Sequence, residues 1–180
     1  MWHVRTWSLF IRGIVRGCIK EKIVTKILFV CLGNICRSPM AEMILKDMVR
    51  KAGCEDEFEI ASAATSTEEI GNPIYPSAVC ELAAHGIEAE KRGARQMTRH
   101  DYEYYDLLIG MDDNNLRNMR RIAGLPIGEQ GKIRSLLSFA SEDYARHGCA
   151  VADPWYTGDF AATYRDLVEG CRGILNYFEI

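Results

Sequence analysis

From residue 25 onward, apolar and polar positions in this 180-residue chain switch repeatedly between two periods. Lys26–Val30 carries the unbroken run Ile27-Leu28-Phe29-Val30, as a strand buried on both faces requires. The next segment repeats at helical spacing, with Met40, Ile44, Met48 and Ala52 on one stripe and Gly53 as its stop. Phe58–Ala63 reads as a second strand, and Pro76–His85 as a helix closed by a left-handed Gly86. Asp106–Met111 reads as a third strand, leading into a helix through Asn115, Leu116, Met119 and Ile122 that stops near Gly124. Ile133–Phe139 reads as a fourth strand. The last helix runs from about Phe160 to Phe178, with Tyr164, Leu167, Cys171, Ile174 and Phe178 on one side. This alternation predicts an α/β fold with a parallel sheet covered by helices on both faces. Ligands of such sheets bind at the carboxyl ends of the strands.

The first 24 residues stand apart. Drawn as a helix, Val4, Trp7, Phe10, Ile11, Ile14 and Val15 share a face, and Arg5, Arg12, Arg16 and Lys20 share the opposite one. A basic amphipathic pattern suits weak contact with a membrane surface. Gly13 and Gly17 weaken it, so the other reading of residues 1–24 is a disordered extension. No apolar run there spans a bilayer and no small-residue cleavage site follows. Residues 25–180 then form one domain.

Charge changes this picture little. The net charge of −3 gives no sign of nucleic-acid binding, and it is uneven: residues 1–25 hold five Lys/Arg against one Glu, which leaves −7 on the remainder. Seven cysteines in a chain with no secretory signal do not read as a disulfide framework. Cys54, Cys80 and Cys171 fall in or beside helical patterns and are expected to be buried, inert thiols. No Cys-x2-Cys occurs and the four His are scattered, so no metal site and no cofactor is expected. A reducing cytoplasm fits this cysteine usage.

The chemistry concentrates between the first strand and the first helix, at Cys31-Leu32-Gly33-Asn34-Ile35-Cys36-Arg37-Ser38-Pro39. A Cys and an Arg flank five residues at a helix N-terminus. Backbone N–H groups and the helix dipole there favour an anion, and the same field favours the thiolate form of Cys31. Gly33 lets the backbone approach a ligand, Asn34 tolerates a left-handed conformation, and Arg37 offers a planar fork for two oxygens of a tetrahedral oxyanion. Ser38 is expected both to cap the helix and to donate its hydroxyl to the thiolate, with Pro39 at the first helical position. Cys36, five residues from Cys31, reads either as a thiol that traps an oxidised Cys31 in a disulfide or as simple packing.

Cys31 to Pro39, with Met40-Ala41-Glu42 after it, resembles the active-site loop of the low-molecular-weight protein tyrosine phosphatases. Ser62-Ala63-Ala64-Thr65-Ser66, Ile70-Gly71-Asn72-Pro73, His85-Gly86-Ile87, Ala94-Arg95-Gln96 and Asp153-Pro154-Trp155-Tyr156 resemble later segments of that family, in its order. The resemblance implies a three-layer αβα fold with a four-stranded parallel sheet in the order 2-1-3-4. It implies hydrolysis of phosphotyrosine in protein substrates through a phosphocysteine. Cys31 would be the nucleophile, Arg37 the phosphate ligand in a loop running from Leu32 to Ser38, and Asp153 the general acid. Trp155 and Tyr156 would form the cleft wall.

The sequence departs from the family pattern in three places. Lys91-Arg92-Gly93 stand where many members carry a loop-supporting His, so support is expected from elsewhere. Glu68 replaces a frequent aromatic at the cleft rim, and Tyr75 falls near a place where Asp is frequent. An acidic rim is expected to disfavour acidic peptides. The alternatives to a tyrosine phosphatase are a protein arginine phosphatase, an arsenate reductase and a non-catalytic phosphate-binding module. The second lacks an evident cysteine relay after Cys80, and the third is hard to square with Cys31, Arg37 and Asp153 occurring together.

Overall fold

The computed structural model describes residues 23–180 apart from residues 147 and 149, so the reading of residues 1–24 as an extension lies almost wholly outside the described residues. Four strands, β1 (Thr25–Cys31), β2 (Phe58–Ala64), β3 (Leu107–Gly110) and β4 (Ile133–Ser135), form one sheet in the order β2-β1-β3-β4. Every pairing is parallel. The central strand β1 is buried on both sides, because its side chains alternate between two separate cores. Ile27, Phe29 and Cys31 face one core, and Leu28 and Val30 face the other.

The first core is covered by α1 (Arg37–Lys51), α2 (Pro76–Ala84) and α7 (Phe160–Tyr177), through Met40, Ile44, Leu82, Leu167, Cys171 and Ile174. The second is covered by α4 (Asp113–Ala123), through Leu116, Met119 and Ala123, with Met97 and Tyr105 from the flanks of the short α3 (Arg99–Tyr104). Two further short helices, α5 (Glu142–Ala145) and α6 (Pro154–Thr157), lie in the segment between β4 and α7. The expected three-layer αβα arrangement and strand order are those observed.

Several local expectations need correction. The fourth strand stops at Ser135, and Leu136–Ser138 form a 3-10 turn instead. Leu136 and Leu137 are both buried in the first core. A strand sends consecutive side chains to opposite faces, whereas a tight turn can bury both on one side. Helix α1 begins at Arg37, so Pro39 is its third residue, where its missing N–H still leaves no bond unmade. Ser38 does not cap the helix: Cys36 is the N-cap residue and makes no side-chain cap bond. Of the three helical-pattern cysteines only Cys171 is buried. Cys54 is half-buried and Cys80 is exposed, because Cys80 lies on the outer face of α2, opposite Ala78 and Leu82. The glycine stops at Gly86 and Gly124 are as read, with φ of 73° and 72°.

Candidate active site

Strand β1 delivers Cys31 to the carboxyl edge of the sheet, where only 3% of the residue is exposed. The next five residues wrap back over it before α1 starts. Asn34 makes the bend with φ 58°, one of the rare left-handed non-glycine positions, and so aims its own N–H at Cys31 Sγ, 3.3 Å away. Ser38 Oγ lies 3.1 Å from the same sulfur, one turn into the helix. The Tyr75 N–H donates to the Ile35 carbonyl at 2.8 Å and pins the far side of the loop. The first N–H groups of α1 have no intrahelical acceptor, as at any helix start, and such groups suit an anion.

Arg37 is the first residue of α1 and is 4% exposed. Its two arms go to two different carboxylates: Nη1 to Asp112 Oδ2 at 2.7 Å, and Nη2 to Asp153 Oδ2 at 2.5 Å. Both aspartates are helix N-caps, and this fixes their other oxygens. Asp112 Oδ1 accepts from the Asn115 N–H at 2.7 Å, and Asp153 Oδ1 accepts from the Trp155 N–H at 3.1 Å. The Asp-Pro turn is therefore both a helix start and the means of aiming a carboxyl at the cleft.

The cleft above Cys31 measures about 190 Å³. Leu32, Gly33, Ile35, Cys36, Arg37, Asp153, Trp155 and Tyr156 line it, together with Glu68 and Glu69. Every residue singled out as catalytic or cleft-lining thus meets at one place. Asn34 and Ser38 form the underside of the loop rather than its lining. Trp155 and Tyr156 are mostly exposed, at 59% and 79%. The Trp155 ring is held edge-on by Tyr75, at 5.8 Å between centroids, and Tyr75 stacks on Phe160. Burial pushes the Cys36 thiol up to about 12, and Cys31 and Asp153 add to the effect.

Asp112 and Glu69 have a part in the site that the sequence did not single out, and Tyr75 and Arg92 stood out there only as departures from a pattern. Asp112 is the second carboxylate on Arg37. Its signal would have been an Asp directly after the third strand, at the sheet edge where ligands sit. Glu69 packs its stem over Gly33, whose added Cβ would lie 3.0 Å from Glu69 Cγ. Tyr75 backs the aromatic wall. Loop support was expected from outside Lys91-Arg92-Gly93, but it comes from within that segment: the Arg92 guanidinium reaches Asn34, Ser62 and Glu42.

A family model described as low molecular weight phosphotyrosine protein phosphatase matches residues 26–179. The chain is 36% identical over 157 residues to the low molecular weight phosphotyrosine protein phosphatase of Sus scrofa, covering 86% of this chain and 96% of that one. Among solved structures, Bacillus subtilis YfkJ superposes with a TM-score of 0.81 at 34% identity, over 88% of this chain and 97% of that one. A Drosophila arginine phosphatase superposes with a TM-score of 0.76 at 29% identity, over 87% and 99%.

Proposed function

Because this chain belongs to the low-molecular-weight phosphotyrosine protein phosphatase family, we propose that Cys31, Arg37 and Asp153 are the groups with which it hydrolyses phosphotyrosine through a phosphocysteine. One observation carries the assignment of roles: the Cys31 sulfur, in contact with the Asn34 N–H and Ser38 Oγ, lines the same cleft as Arg37, whose second arm touches Asp153.

The geometry supports a two-step reaction. A phosphate seated in the loop meets Arg37 and the N–H groups of the loop, which balance charge on its three non-bridging oxygens. It competes with Asp153 for the Arg37 fork, and displacing that carboxyl turns it toward the bridging oxygen. The Cys31 thiolate attacks phosphorus from the opposite side. As the P–S bond forms and the P–O bond breaks, Asp153 gives its proton to the departing phenolate. In the second step Asp153 takes a proton from water, which attacks phosphorus and releases phosphate and the Cys31 thiolate. The wall formed by Trp155 and Tyr156 suits a flat aryl ring.

The domain carrying this chemistry is residues 25–180, and the substrates are phosphotyrosine-containing proteins. The free thiols of Cys31, Cys36, Cys80 and Cys171 suit a reducing compartment such as the cytoplasm. Among those residues no helix is long and apolar enough to cross a membrane.

Leaving-group dependence tests the reading. Cys31→Ser should abolish turnover of p-nitrophenyl phosphate, since a hydroxyl stays protonated where a thiol ionises. Asp153→Ala should reduce kcat for phenyl phosphate by about 10²–10⁴-fold, and for p-nitrophenyl phosphate far less, because the better leaving group needs little protonation. Equal losses on the two esters would remove Asp153 from the role of acid.

A further inference from the structure

The carboxyl of Asp153 rests on Arg37 and on the Trp155 N–H at the start of α6. A phosphate in the loop takes the first of these contacts away. The second ties Asp153 only to α6, a four-residue helix of which Pro154 alone is buried. What holds this turn in place lies just before it. The Val151 N–H donates to the Met111 carbonyl at 2.9 Å, just past β3, and the Val151 side chain is buried in the first core. Ala152 is held on both sides by one helix, α7. Its N–H donates to Asp166 Oδ2 at 2.8 Å, and its carbonyl accepts from Thr163 Oγ1 at 2.9 Å. Thr163 and Asp166 are three residues apart, so they project from one face of α7. Thr163 is fully buried. Its hydroxyl also lies 3.3 Å from the Asp159 carbonyl, the usual acceptor for a helical Thr, but the contact across to Ala152 is the shorter. Tyr144, in α5, donates its hydroxyl to Asp166 Oδ1 at 2.6 Å, which leaves Oδ2 aimed at Ala152.

These two contacts fix two successive peptide planes. Asp166 holds the plane between Val151 and Ala152, and Thr163 holds the plane between Ala152 and Asp153. The second plane contains the Asp153 nitrogen, so it sets the direction in which the Asp153 side chain leaves the backbone. Helix α7 is a firm base for both, since Leu167, Cys171 and Ile174 on it are fully buried. We propose that Thr163 and Asp166 are positioning residues for the phosphatase reaction: they clamp Ala152 to α7, and so keep Asp153 on the leaving-group oxygen once phosphate has displaced it from Arg37. Neither residue lines the cleft. The inference rests on Asp153 being the general acid. Misplacing a catalytic group by about 1 Å costs up to about 100-fold in rate. Here that loss falls on the steps in which Asp153 moves a proton.

The test compares kcat/KM for p-nitrophenyl phosphate with kcat/KM for phenyl phosphate, since this constant covers the steps up to release of the phenolate. The proteins are wild type, Thr163→Val, Thr163→Ser, Asp166→Ala, Asp153→Ala, and Thr163→Val and Asp166→Ala each combined with Asp153→Ala. The poorer leaving group needs the proton more. The ratio of p-nitrophenyl to phenyl ester should therefore rise by about tenfold in Thr163→Val and in Asp166→Ala. Thr163→Ser keeps the hydroxyl and should stay near the wild-type ratio. In the Asp153→Ala background neither change should raise the ratio further, because no acid is left to misplace. A wild-type ratio in both clamp variants, with only a lower melting temperature, would overturn the proposal, as would an undiminished rise in the Asp153→Ala background. If Thr163→Val does not fold, Asp166→Ala decides, because Asp166 is only half-buried: its ratio must rise. Asp153→Ala alone separates the two readings. If it raises the ratio and the clamp variants do not, only the clamp falls; if it leaves the ratio unchanged, the acid role falls and takes the clamp with it.

Discussion

Ile35 sits at the middle of the anion loop, 8% exposed, with its carbonyl fixed by Tyr75. Its aliphatic side chain is expected to favour an aryl ester over a phosphoguanidinium. A phosphoarginine brings extra N–H donors against the loop, and leaving each unpaired against an aliphatic side chain costs about 1–3 kcal/mol. That is about ten- to a hundredfold per group, so kcat/KM for phosphotyrosine should exceed that for phosphoarginine by at least about tenfold. Ile35→Thr should narrow the gap, and a wild-type preference for phosphoarginine would replace tyrosine phosphatase with arginine phosphatase. Cys36 poses a second residue-level question. Burial first, then Cys31 and Asp153, hold its thiol near 12, so it stays protonated at neutral pH and is a weak competitor for substrate phosphorus. If peroxide converts Cys31 to a sulfenic acid, attack by Cys36 gives a disulfide and water. The fraction of attacking thiolate rises with pH throughout the range below its high midpoint, so disulfide formation after mild oxidation should speed up by nearly tenfold per unit between about pH 6 and 8. Dithiothreitol should restore activity, and Cys36→Ser recovering as fully as wild type would leave Cys36 with packing only. Cys31, Arg37 and Asp153 were legible in the sequence because each sits in a short contiguous motif. Asp112 was not, and Tyr75 and Arg92 showed only as departures from a pattern, because each acts on a partner distant in sequence: Asp112 and Arg37 are 75 residues apart, and Arg92 and Asn34 are 58 apart.

At the level of elements, periodicity identified the long helices and the three longer strands, and it failed where an element is too short to repeat. Helix α3 has six residues and no periodic stripe. Its start rests on a capping box, with Thr98 accepting from the Asp101 N–H and Asp101 accepting from the Thr98 N–H. Burial would raise the Asp101 pKa, but the Arg95 fork and the Thr98 N–H outweigh it and hold the carboxyl below its usual value. The same Arg95 gives its backbone N–H to Asn34, so α3 indirectly steadies the loop. The close approach of α7 to the turn after β4 was equally hidden. A Cβ on Gly173 would stand 1.8 Å from the Phe139 carbonyl oxygen, and one on Gly170 would stand 2.4 Å from Leu136 Cγ. In an exposed helix, Gly→Ala stabilises by about 1 kcal/mol through helix propensity. At Gly173 the obstacle is backbone, which cannot swing aside, and overpacking of this kind costs about 1–3 kcal/mol or more. Gly173→Ala should therefore lower the urea midpoint despite its better propensity. An unchanged or raised midpoint would mean that α7 slides away from the turn at little cost.

Across the whole molecule, the charge at the cleft mouth is opposite to what a phosphate alone would attract. The cation, Arg37, is buried and already faces two carboxylates. Around it the rim presents Glu68 and Glu69, and a neighbouring groove that shares Trp155 with the cleft adds Glu81 and Asp159. Attraction of the phosphate is thus confined to the floor of the loop, while residues flanking a phosphotyrosine pass over an acidic rim. Each flanking charge at roughly 8 Å through water is worth about 0.5 kcal/mol against one rim carboxylate. Exchanging acidic for basic neighbours in a peptide should then be worth about 1 kcal/mol after screening, a factor of about five in kcat/KM. Matched phosphotyrosine peptides with Lys or Asp on both sides should show that preference for Lys at about 20 mM salt and lose most of it at about 500 mM, where the screening length falls well below the rim spacing. Glu68→Gln should weaken the preference, since Glu68 is the more exposed of the two rim glutamates. Equal rates for the two peptides at low salt would show that the rim carboxylates do not reach the flanking residues, and the sequence preference would then have to come from Trp155 and Tyr156 alone.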